Sequence, residues 1–123
     1  MKYLYPFLWL LVISVLSLTP SAKMPSVHLF PNADKLIHLV MYGIFSFLLM
    51  PPFKASRRRE LRFFIPFIVS SSIGILFEYL QLMLRKGRSF EFLDIVADVL
   101  GAAVGIFIYW LIVRSLSKRE IEE

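Results

Sequence analysis

No cysteine occurs anywhere in the 123 residues, which excludes disulfides and thiolate-bound metals. Charge is scarce too: Asp, Glu, Lys and Arg make up 19% of the chain, against 58% hydrophobic and 15% aromatic residues. A soluble domain of this length needs far more polar side chain to cover itself, so that class is excluded. Histidine is limited to His28 and His38. No internal repeat or low-complexity tract is present.

What the chain does have is apolar length. Its mean hydropathy is +0.70. The size allows one domain, taken as 1–123. A membrane span needs about 20 apolar residues, with a tolerance of about 17–25. Four segments meet or approach that length, at about 3–19, 36–53, 61–84 and 92–113. Pro51-Pro52 stops the second, and Pro66 falls near the start of the third, where proline is tolerated. The expected fold is all-α, an integral membrane bundle of four transmembrane helices. The first segment has a rival reading as a signal peptide, with Lys2 before it and Thr19-Pro20-Ser21-Ala22 after it. Its apolar run is long for that role and Pro20 spoils one cleavage frame, so a retained helix is expected.

The net charge of +5 does not point to nucleic acid, because the basic residues gather at the ends of apolar segments. With the N-terminus inside, nine Lys and Arg fall on the inner face and five on the outer. This bias places both termini in the cytoplasm, with Arg57-Arg58-Arg59 as the main anchor.

Against this apolar background Glu78 stands out. An acid at mid-helix costs about 2.5–3.5 kcal/mol on insertion scales, less towards the interface. The candidate partners of this acid lie at the same membrane face. Asp34 and His38 fall in the first turns of the second helix, and Gln81 and Arg85 in the last turns of the third. Asp94 and Asp98 fall in the first turns of the fourth, with Arg88 just before it. Spacing groups them into stripes: Asp34, His38 and Tyr42; Gly74, Glu78, Gln81 and Arg85; Asp94, Asp98, Gly101 and Gly105. Gly101-x-x-x-Gly105 permits close approach of another helix, so its stripe faces protein and carries both aspartates inward. The bland readings are that Asp34 caps a helix, Asp94 sits at a helix N-terminus, and Arg85 and Arg88 snorkel to the interface. Glu78, His38 and Asp98 lie deeper than capping requires. Together the stripes predict one partly hydrated polar pocket, with Gly74, Gly101 and Gly105 serving helix packing.

The segment from Asp34 to Gly105 resembles the VanZ-like family of small membrane proteins. The resemblance rests on Asp34-Lys35-Leu36-Ile37-His38 followed by Tyr42, on Gly74-Ile75-Leu76-Phe77-Glu78-Tyr79-Leu80-Gln81, and on Arg88, Phe90, Asp94 and the Gly101 to Gly105 run. The order and spacing of these pieces are specific, whereas no single piece is. One departure is Asp98, where the family commonly has asparagine. The resemblance implies a multi-pass protein of the bacterial cytoplasmic membrane. The family takes its name from a protein linked to teicoplanin resistance, and it implies no established reaction.

Two functions compete on these residues. In the first, which we favour, the protein is not an enzyme. Its outward-facing pocket binds a lipid-linked or amphiphilic envelope ligand, with Arg85 and Arg88 meeting a phosphate or carboxylate. In the second, the protein is a membrane-embedded hydrolase or transferase acting on a lipid phosphate. His38 would then be base or nucleophile, with Glu78, Asp94 and Asp98 holding a hard cation. No recognised catalytic spacing supports the second reading. A transporter is disfavoured, because the middle of the bundle is apolar and offers no polar path. No cofactor and no bound metal are expected. The expected partners are the lipid bilayer and the envelope ligand, and a bundle this small is compatible with a homo-oligomer.

Overall fold

A computed structural model describes residues 3–18, 33–53, 59–84 and 92–122. Its elements are all helical: α1 (Leu4–Leu18), α2 (Ala33–Phe53), α3 (Arg59–Leu84) and α4 (Phe92–Glu122). The bounds agree with the apolar segments to within a few residues, except at the end of α4. That helix runs past Val113 to Glu122 through Arg-Ser-Leu-Ser-Lys-Arg-Glu, a stretch of helix formers without glycine or proline. The 31 residues of α4 span about 46 Å, more than a hydrocarbon core of about 30 Å, and residues 111–122 are exposed.

Two helices are long and apolar enough to cross a membrane, Glu60–Leu84 and Phe92–Glu122; α1 and the apolar part of α2 are shorter. The 15 residues of α1 rise only about 22 Å. The outward surface is apolar on every helix, with Leu8, Ile44, Leu76 and Phe107 among many large side chains left uncovered. That surface matches a hydrocarbon solvent and not water.

The most extensive pairing is between α2 and α4. Its register reads Lys35 to Asp94, His38 to Asp98, Leu39 to Gly101 and Gly43 to Gly105, so the numbers rise together and the two helices run parallel. Glycine makes this possible. A methyl group on Gly101 would overlap the Leu39 carbonyl oxygen, and one on Gly105 would overlap the Gly43 carbonyl oxygen and Ser46 Oγ. The expectation that Gly101 and Gly105 face another helix is met, and that helix is α2 of the same chain.

Lipid tails are as apolar as the side chains, so burial drives helix association weakly, and close packing and interhelical hydrogen bonds must do more. Ser46 Oγ donates to the Ala102 carbonyl at 2.8 Å and Ser70 Oγ to the Tyr42 carbonyl at 3.3 Å. The first helix lies against α2 and α3, fastened at both levels. Trp9 Nε1 donates to the Met41 carbonyl at 2.8 Å, and Ile13 is fully buried in a core with Tyr42, Phe45, Leu49 and Phe77.

Candidate functional site

Helix direction decides where the polar residues go. Both α2 and α4 begin at the end of the bundle where α3 finishes, so the early turns of two helices meet the late turns of a third. On α4, Asp94 and Asp98 are one turn apart and both are buried. Asp94 is in the first turn, where an acid also gains from the helix dipole.

Across from them, α2 presents Lys35 and His38. Lys35 Nζ stands 2.7 Å from Asp94 Oδ1. His38 Nδ1 is 2.9 Å from Asp98 Oδ1, and its Nε2 is 3.8 Å from Asp94 Oδ2. A carboxylate only accepts, which places the shared proton on His38 Nδ1. The result is a run of polar contacts, Lys35–Asp94–His38–Asp98, that joins two helices and is ionic at His38 when the imidazole is protonated. Tyr42 lies one turn below, with its ring parallel to His38 at 6.5 Å between centroids.

The third helix closes the network from the side. Asp98 Oδ2 has no hydrogen-bond partner among the described residues and faces Gly74. A Cβ at Gly74 would come within 2.7 Å of that oxygen, so only glycine leaves room for the carboxylate. Glu78, one turn above Gly74, is 1% exposed and within electrostatic reach of His38 and Tyr42. Gln81 is buried but turned elsewhere: its Nε2 donates to the Ser17 carbonyl at 2.8 Å, satisfying an orphan carbonyl in the last turn of α1.

His38, Tyr42, Glu78, Asp94 and Asp98 are thus brought to one end of the bundle, while Gln81 fastens α1. The side chain of Asp34, together with Arg85 and Arg88, lies outside the described residues. Sequence reasoning missed Lys35 as the partner of Asp94, although it sits one turn before His38. It also missed Gly43, a lone glycine in an apolar helix four residues after Leu39, and the serines and tryptophan that donate to neighbouring backbones.

The expected open pocket is, over the described residues, a close-packed network. Asp98 and Glu78 are sealed, each 1% exposed. Access is from the α2–α4 edge, where the side chains of Lys35, His38 and Asp94 keep 18%, 13% and 11% exposure. Among the described residues no three His, Asp or Glu side chains are grouped to hold a metal ion. The arrangement can hold a proton between His38 and Asp98, and can meet a polar group at its edge.

The VanZ/LLP1 family model matches residues 3–113, which reaches well beyond the polar segments and includes α1. No curated protein and no solved structure matches the chain.

Proposed function

Because the chain belongs to the VanZ/LLP1 family, we propose that it is a multi-pass protein of the bacterial cytoplasmic membrane whose polar end binds an envelope component. In this reading all four helices span, both termini are cytoplasmic, and the ionic network lies just below the outer surface. The ligand is amphiphilic, with a polar head at the edge formed by Lys35, His38 and Asp94.

The observation that carries the proposal is the chain Lys35–Asp94–His38–Asp98, with Glu78 buried beside it, at one end of a bundle whose core is mainly apolar. Ionic groups at this depth cost more than the apolar packing that could replace them, and intramembrane ionisable residues mark functional sites by default. Partial exposure at one edge gives the network a face from which a ligand can be met.

The test is genetic and biochemical. His38→Gln and Glu78→Gln, expressed at normal level, are expected to change an envelope phenotype of the host, with teicoplanin susceptibility the first to measure in view of the family's name. Normal phenotypes with both variants, in folded protein, would sink the proposal. The lipid-phosphate hydrolase reading has no comparable support, since His38 has carboxylates facing both ring nitrogens.

A further inference from the structure

The α2–α4 crossing leaves an apolar groove directly below the ionic edge. It has a volume of about 320 Å³ and is lined by Leu39, Gly43 and Phe47 of α2 and by Val104, Gly105 and Ile108 of α4, among others. Lys35, Leu39, Gly43 and Phe47 step by four and so share one stripe of α2. That stripe is cationic at its outer end and apolar for about the next 12–18 Å. At the mouth, Lys35 reaches across to Asp94, so the groove is capped by a partly exposed ion pair.

We infer that this groove seats one acyl chain of a phospholipid-like amphiphile, with the phosphate of its head at Lys35. The inference rests on the reading of the polar end as an amphiphile site and supplies the place of the hydrocarbon part. Shape selects a chain over a second copy of the protein. A helix is about 10–12 Å across and needs small residues to approach, but Gly43, Gly101 and Gly105 are already used by the α2–α4 contact. The rims instead carry Val40, Ile44, Val104 and Ile108, which stand exposed and define a slot. An empty slot would forfeit dispersion contacts along both walls, and a flexible hydrocarbon recovers them. The ion pair at its top distinguishes this slot from the generic lipid-facing surface, because it gives a headgroup something to bind.

The experiment uses the full chain in nanodiscs containing a phosphatidylglycerol with a diazirine in one acyl chain, followed by peptide mapping of the photo-adducts. Adducts are expected several-fold enriched at Ile44, Phe47, Val104 and Ile108 over the more exposed Leu8 and Leu76. Val104→Trp should abolish the enrichment, Leu76→Trp on the exposed face of α3 should leave it, and Lys35→Ala should lower it several-fold. Labelling that simply follows exposure overturns the chain seat, and enrichment indifferent to Lys35→Ala overturns the headgroup contact. Uniform labelling beside altered phenotypes for His38→Gln and Glu78→Gln removes the groove alone. Enriched labelling beside unaltered phenotypes removes the polar-site reading alone.

Discussion

Gly105→Ala is expected to loosen the whole polar end, and Gly43→Ala at the same crossing is not. A methyl group at Gly105 would overlap the Gly43 carbonyl oxygen and Ser46 Oγ and would lie 2.8 Å from the Gly43 carbonyl carbon. Ordinary contact begins at 3.4 Å, so α2 must retreat by at least about 0.6 Å, against backbone that cannot rotate away. Overpacking of this kind costs about 1–3 kcal/mol. Ser46 must also turn aside, giving up its 2.8 Å bond to the Ala102 carbonyl, worth about 0.6 kcal/mol between membrane helices. The better helix propensity of alanine returns about 0.8–1.0 kcal/mol. The net loss is about 1–3 kcal/mol. At Gly43 the nearest atom is the Gly101 carbonyl oxygen at 3.1 Å and the next are at 3.8 and 4.0 Å, so a shift of a few tenths suffices and alanine is close to neutral. The two variants should differ by about 2 kcal/mol, roughly 30-fold in the folding equilibrium. Reversible unfolding by SDS in mixed micelles, followed by helicity, measures the difference. Equal losses, or a larger loss at Gly43, would refute the parallel α2–α4 register.

The ionic chain predicts strong coupling: His38→Leu and Asp98→Leu should each cost about 3–5 kcal/mol by stranding the other group, and the double variant clearly less than their sum. Simple additivity in the same unfolding assay would contradict the contact. Gln81→Leu should cost about 1 kcal/mol and speed amide exchange in the last turn of α1, leaving exchange in α4 unchanged, because its bond goes to the Ser17 carbonyl. Since the chain has no cysteine, single cysteines report topology cleanly. Ser117→Cys should react with an impermeant maleimide only from the cytoplasmic side and Lys86→Cys only from the outside, and the reverse pattern would invert the orientation.

The four helices were legible because their signal is local: a run of apolar residues, a proline pair and a charged cluster mark each end with no help from the rest of the chain. The meeting of polar residues at one end was legible for the same reason. Alternating direction through the bundle puts the starts of α2 and α4 beside the finish of α3 whatever their rotation. Two features misled. Gln81 shares a stripe with Glu78 and was grouped with the pocket, yet its amide turns towards α1, because a stripe fixes a face only to within a helix's breadth. The bound at Val113 marked the end of the apolar run and not of the helix; the charged tail beyond it, expected as a solvated helix end, is helical and exposed to Glu122, since Lys, Arg and Glu are themselves helix formers.

By itself, then, the amino-acid sequence determined an all-α chain with largely apolar helices, the four helices among the described residues, and the end at which Glu78, Asp94, Asp98, His38 and Tyr42 gather. Composition and periodicity act residue by residue and need no partner. The tertiary structure alone decided that Lys35 belongs to Asp94, that His38 bridges two aspartates, and that Gly101 and Gly105 are spent on α2. It also decided that, among the described residues, Glu78 and Asp98 are sealed while Lys35, His38 and Asp94 keep partial exposure. Those outcomes depend on the rotation and relative depth of the helices. Each residue turns a helix by about 100° and lifts it by about 1.5 Å, so partners are chosen only when glycine-sized gaps and backbone carbonyls lock one register in place.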